Sequence, residues 1–261
     1  MREFLGIGGY TREPEGALSW QHLTFVGTLL LIMTLLAVLL GKKNRNAAPN
    51  IKNRVLIVAA VLIDSFEIFK IVVLCIRSED GVWGPILHNL PLFLCSIQLI
   101  AIPMAAFCKG RLREAALDFV AIFGLLGAVL GTVGAMQNYG VYPVLSMDNV
   151  VSGITHCISG FAALYILIAG MAPLKKQEMD VTYGILLGFC MAAYVTNHLV
   201  DYNYMFLVRG DGTPYDILFN LVGGHHVWYP VCVVGLFLVY ITVFYGIHYL
   251  IEKKAAKKTA V

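Results

Sequence analysis

A chain of 261 residues that is 59% hydrophobic and only 13% charged, with a mean hydropathy of +0.76, is not composed like a soluble domain, where about 25% of residues are charged. The formal net charge of +3 is gathered in loops between apolar stretches. Basic residues placed there set membrane orientation and meet anionic lipid, so they carry no nucleic-acid reading.

Seven apolar stretches follow one another: Leu18–Leu40, Val55–Ile76, Leu87–Cys108, Ala115–Met136, Val150–Met171, Val181–Val200 and Tyr229–Ile251. A helix of about 20 apolar residues crosses a bilayer, so the expected fold is an all-α bundle of seven transmembrane helices. The first lacks the basic flank and small-residue cleavage site of a signal peptide and is read as retained. Residues 1–17 form an extracytoplasmic segment, 18–251 the membrane domain and 252–261 a basic tail. Lys42, Lys43, Arg45, Lys52 and Arg54 lie in the first connection, Lys109, Arg111 and Arg113 in the third, and Lys175 and Lys176 in the fifth. With Lys253, Lys254, Lys257 and Lys258 these make fourteen basic residues, against Arg2, Arg12, Arg77 and Arg209 on the other side and Lys70 inside a stretch. The positive-inside rule then predicts an outside N-terminus and a cytoplasmic C-terminus. The expected location is a bacterial cytoplasmic membrane, crossed several times.

Polar residues inside such stretches mark partners or function. On the second, Asp64, Glu67 and Lys70 form a ladder, with Glu67 and Lys70 one turn apart and able to neutralise each other. On the third, helical spacing groups His88, Cys95 and Gln98, with Pro91 loosening the helix ahead of the cysteine. Gly124, Gly127, Gly131 and Gly134 put small residues along one face of the fourth, including a GxxxG pair, which reads as a packing surface without chemistry of its own. Asn149, Ser152, His156 and Ser159 form a stripe on the fifth, and Tyr194, Asn197, His198 and Asp201 close the sixth. At the rise of an α-helix, Cys95 lies roughly 12 Å and His156 roughly 9 Å from the outer boundary. A thiol and an imidazole at matched depth permit a Cys–His pair in which the imidazole generates the thiolate. His88 is too far along its helix from Cys95 to serve directly as its base. The six cysteines read mainly as small buried residues, although Cys75 and Cys232 both approach the outer boundary.

The run His88-Asn89-Leu90-Pro91-Leu92-Phe93-Leu94-Cys95-Ser96 resembles the Leu-Pro-Leu-x-Leu-Cys segment of YwaF-like bacterial integral membrane proteins. So do Asn203-Tyr204-Met205-Phe206-Leu207, Pro214, Gly224 and Trp228-Tyr229. More distantly, the chain is similar to the transmembrane-protein-164 acyltransferases. The likeness lies in Leu18-Ser19-Trp20-Gln21, the Glu67/Phe69-Lys70 cluster, a cysteine early in the third stretch and a histidine in the fifth. That resemblance implies acyl transfer between phospholipids through a cysteine thioester, with Cys95 as nucleophile and His156 as base. The chain departs from it in flanking Cys95 with Leu94 and Ser96, where the eukaryotic proteins carry Asn-Pro and His.

The expected function is therefore a membrane-embedded lipid acyltransferase whose site opens to the outer leaflet and which takes membrane lipids as partners. Asn149, Ser152 or Gln98 would orient the imidazole or stabilise the oxyanion, with Glu67, Lys70, His88, Asn197, His198 and Asp201 as further polar lining. No cofactor and no metal are expected. Two alternatives stay open: a transporter or ligand-binding protein with a polar outer cavity, and a zinc-dependent intramembrane hydrolase using the outer histidines and Asp201.

Overall fold

A computed structural model describes residues 1–259, apart from the side chains of Glu252 and of residues 255–259. The expected basic tail at 252–261 thus lies largely outside the described side chains. Among the described residues all regular structure is helical. The principal helices are α1 (Trp20–Asn44), α2 (Pro49–Arg77), α3 (Gln98–Phe107), α4 (Gly110–Leu130), α5 (Met147–Ile168), α6 (Met179–Val200) and α7 (Trp228–Thr259). The chain divides into two compact units, 1–172 and 173–261.

Local chemistry sets the helix starts. The Ser19 and Ser146 side chains accept from the backbone N–H groups of His22 and Asn149 at 3.2 and 3.3 Å, capping α1 and α5. Pro49 begins α2, where its missing N–H costs nothing. Among the described residues four helical segments are long and apolar enough to cross a membrane: Trp20–Asn44, Met147–Ile168, Lys176–Val200 and Trp228–Ile251. Two other helices are long but more charged. α2 has 29 residues and carries Asp64, Glu67 and Lys70; α4 has 21 and carries Arg113, Glu114 and Asp118.

The third apolar stretch departs from the expected single helix. A short helix at Trp83–Leu87 is followed by irregular backbone through residues 88–97, and α3 spans only 10 residues. Proline supplies the reason: its ring disfavours helical conformation in the preceding residue and it has no N–H to donate. The chain enters Pro91 without helical backbone and recovers a helix only at Gln98. Irregular backbone is tolerated at membrane depth only where protein or a polar cavity surrounds it. The helical grouping of His88, Cys95 and Gln98 on one face therefore fails, as does a depth for Cys95 counted along a helix.

In the first unit α5 is the centre, packed against α1, α2 and α4, while α3 packs on α2 and α4. The middle of α4 is enclosed nearly all round, with every residue from Ala115 to Gly124 buried. Glycines bring α4 and α1 close to α5. A β-carbon at Gly124 would lie 2.7 Å from the Ser159 carbonyl oxygen, and one at Gly160 would press on Met33 and Ala128. This is the close backbone approach that small residues permit in lipid.

The N-terminal segment is tied to two helix ends. Arg77, in the last turn of α2, pairs with Asp148 in the first turn of α5, its Nη1 donating to both carboxylate oxygens at 3.1 and 2.9 Å. It also donates to the Leu5 carbonyl and, at 2.9 Å, to the Tyr10 hydroxyl. Tyr10 in turn donates to Asp148 at 2.5 Å. Burial, reinforced by that carboxylate, pushes the Tyr10 hydroxyl up to about 12. Glu15 accepts the Val144 N–H at 2.8 Å.

In the second unit α6 and α7 are cross-linked by hydroxyl pairs, Thr182 with Tyr245 at 3.1 Å and Tyr183 with Thr242 at 2.6 Å. The segment after α6 is wound around two asparagines. Asn197 donates to the Tyr204 carbonyl and accepts from its N–H, at 3.0 and 2.6 Å. Asn203 holds the Arg209 carbonyl and Asp211 with its amide nitrogen, and the N–H groups of Val208 and Arg209 with its oxygen. All six cysteines are free thiols, Cys75 and Cys232 included.

Candidate functional site

Cys95 stands in the turn that opens α3. Ser96 builds this turn, accepting the Phe93 N–H at 3.0 Å and donating to the Phe93 carbonyl at 3.1 Å. The Ile97 N–H closes on the same carbonyl at 2.9 Å. Wound this way, the backbone turns the N–H groups of Cys95 and Ser96 toward the Cys95 sulfur. The sulfur therefore sits among backbone donors at the N-terminal end of α3.

His156 reaches Cys95 from α5, and thiol and imidazole share a side-chain hydrogen bond. Both residues are half-buried. The other ring nitrogen, Nδ1, lies 2.7 Å from the Ser152 carbonyl and 3.4 Å from the Ser152 hydroxyl. A carbonyl oxygen only accepts, so Nδ1 carries a hydrogen, which in the neutral ring leaves the lone pair on Nε2. The imidazole is thus held as a base facing the thiol. The orienting group is the main chain of Ser152, one turn back on the same helix.

The glycine face of α4 makes room for this pair. A β-carbon at Gly131 would overlap the His156 ring at Cδ2 and Nε2, and one at Gly127 would lie 3.5 Å from the Cys95 β-carbon. The GxxxG pair expected to serve packing alone is the wall against which thiol and imidazole meet. Its spacing was visible in the sequence; what fills the space beside it was not.

From α2, Lys70 stands near enough for its charge to act on His156, and it pairs with Glu67 at 2.5 Å. Gln98 is the first residue of α3 and fully buried, with no hydrogen-bond partner on either amide atom among the described residues. Ser159, one turn beyond His156, has a buried hydroxyl in the same condition.

Other expected site residues go elsewhere. The Asn149 amide is committed to the Tyr142 and Pro143 carbonyls, each at 3.0 Å, so it fastens the preceding loop and does not orient the imidazole. His88 closes the short helix Trp83–Leu87. Asn197, His198 and Asp201 belong to the second unit, where Asn197 organises the loop, His198 meets the Tyr194 ring edge-on at 4.6 Å and Asp201 ends α6 in a left-handed conformation. Among the described residues no three His, Cys, Asp or Glu side chains converge as metal ligands would.

No curated protein and no solved structure matches the chain. The TMEM164 family model matches residues 17–245, a range that holds Lys70, Cys95, Gly127, Gly131 and His156, and the chain belongs to the TMEM164 family.

Proposed function

We propose that this protein is a membrane-embedded lipid acyltransferase working through a Cys95 thioester, with its N-terminus outside and its site open to the outer leaflet. The observation that carries the reading is the contact of the Cys95 thiol with an imidazole whose Nδ1–H is tied to the Ser152 carbonyl. Family membership and the resemblance to the transmembrane-protein-164 acyltransferases supply the reaction class.

In the first half, His156 Nε2 takes the thiol proton and the sulfur attacks the ester carbonyl of a phospholipid. The carbon–sulfur bond forms, the ester carbon–oxygen bond breaks, and His156 returns the proton to the departing oxygen of the lysolipid. In the second half, an acceptor hydroxyl gives its proton to His156 and its oxygen attacks the thioester carbonyl. The carbon–sulfur bond breaks and the thiolate recovers the proton. The N–H groups of Cys95 and Ser96 face the sulfur, so donors to the developing oxyanion must come from nearby groups, of which Gln98 has both amide atoms unpartnered.

The test is direct. Purified protein incubated with radiolabelled phosphatidylcholine acquires a hydroxylamine-sensitive acyl label, absent from Cys95→Ala. His156→Gln slows labelling by roughly 10²–10⁴-fold, the usual contribution of a positioned base. Failure of the wild-type protein to label with any of a panel of phospholipids overturns the reading.

A further inference from the structure

On the first unit, α1 and α2 both lean on α5 and leave a groove between them of about 500 Å³. Its walls include Met33 and Leu36 from α1, Val58 and Leu62 from α2, and Ile158 and Phe161 from α5. Every lining residue but one is apolar or a cysteine. The exception is Arg54, and it lies at one end. The lining residues of α2 run from Arg54 to Leu62, about 12 Å of helix, and those of α1 run the opposite way, from Leu29 to Leu40.

Arg54 is exposed and, among the described residues, forms no ion pair or hydrogen bond. Its neighbours in sequence differ: Lys52 donates to the Ala169 carbonyl at 2.7 Å, and Asn53 to the Ala106 carbonyl at 2.7 Å. The chain around this end, residues 41–54, holds five basic residues and no acidic one. Lys42 and Lys43 in the last turn of α1 are exposed as well. An apolar trough of this length ending at an uncommitted guanidinium, with no carboxylate in the flanking link, complements one kind of membrane molecule.

We propose that the α1–α2–α5 groove binds one acyl chain of an anionic phospholipid, with the lipid phosphate on Arg54. This is a lipid site apart from the Cys95–His156 pair, and it does not depend on acyl transfer. Cys157 lines the groove, while its neighbour His156 faces Cys95. One helix thus presents adjacent residues to the groove and to the thiol.

The proposal is tested in nanodiscs with a phosphatidylglycerol bearing a photoreactive diazirine on its acyl chain, and with the matching phosphatidylcholine, followed by peptide mapping. The expected result is labelling concentrated in residues 29–40, 55–62 and 154–161, stronger for phosphatidylglycerol. Val58→Trp, which fills the groove from a position already exposed to lipid, removes this labelling. Val243→Trp, on an exposed position of α7, leaves it intact. Arg54→Gln lowers the preference for phosphatidylglycerol roughly fivefold, the effect of one basic residue at a membrane surface. Cys95→Ala labels as the wild type does, which separates this site from the acyl-transfer reading. Label spread evenly over all lipid-exposed helices, labelling unaffected by Val58→Trp, equal labelling by the two lipids, or chain-to-chain crosslinks in place of lipid each overturns the proposal.

Discussion

Two sets of buried polar side chains, one from each compact unit, are treated differently. In the second unit, both side-chain amide atoms of Asn197 and of Asn203 have partners in the backbone and side chains of residues 204–211. In the first, the side chains of Gln98 and Ser159 are just as deeply buried but find no hydrogen-bond partner among the described residues, and Cys95 and His156 meet each other over a wall of glycine. Leaving a buried amide unpaired costs on the order of 1–3 kcal/mol, so groups in that state mark where ligand or water completes the structure. Buried polar residues thus have two uses. Asn197 and Asn203, like Asn149 in the first unit, hold a loop, while Gln98 and Ser159 keep hydrogen-bonding capacity open near a thiol.

The contrast can be broken most severely at α4. Gly131→Ala forces the His156 ring out of its place and should cut acyl transfer by about 100-fold or more, as expected for a misplacement near 1 Å. Gly127→Ala meets only an ordinary van der Waals contact with Cys95 and should retain most activity. Equal activity of the two variants in a labelled-phospholipid assay would remove the glycine wall from the mechanism.

In the second unit the larger effect is on stability. Asn197→Ala leaves the buried Tyr204 N–H without its partner, while the Tyr204 carbonyl keeps the Leu207 N–H, so a loss of about 1–3 kcal/mol is expected, with faster proteolysis in residues 201–211. A melting curve in detergent like that of the wild type would place Asn197 outside the loop's framework.

Gln98→Leu sharpens the comparison from the other side. Removing an amide that has no partner should leave stability unchanged or raise it by about 1 kcal/mol, while acyl transfer falls. A variant that melts well below the wild type would show Gln98 to be structural, like Asn197.

The smallest effect concerns Glu15. Burial opposes its ionisation, but the Val144 N–H and Arg12 outweigh this and hold its pKa below the ordinary carboxylate value. A depressed carboxylate contributes stability above its unfolded pKa of about 4.3, and that contribution is lost as pH falls through the lower folded value. Glu15→Gln should therefore flatten the acid side of a stability–pH profile by less than about 1 kcal/mol. An unchanged profile between pH 3 and 6 would deny Glu15 that role.

Much of this arrangement could be read from residue order. Each apolar stretch contains a helix, because long apolar runs in lipid have few ways to satisfy their backbone. The pairing of Glu67 with Lys70 follows from their one-turn spacing. The break at residues 88–97 was harder to see: Pro91 announced it, yet apolarity alone read as continuous helix. The orientation of His156 depends on a main-chain oxygen, to which side-chain identity is blind. The Arg77–Asp148–Tyr10 knot joins residues 67 to 138 positions apart, and no local pattern links them.

On the proposed acyl-transfer reading, the tether from His156 to its own helix bears on the order in which lipids are handled. With Nδ1 fixed to the Ser152 carbonyl, the ring cannot swing between a donor seat and an acceptor seat. In an acyl-transfer cycle the proton must leave and return at the same point in space. The lysolipid therefore has to vacate that point before the acceptor hydroxyl arrives. Donor and acceptor take turns in one place, and each, in excess, obstructs the other.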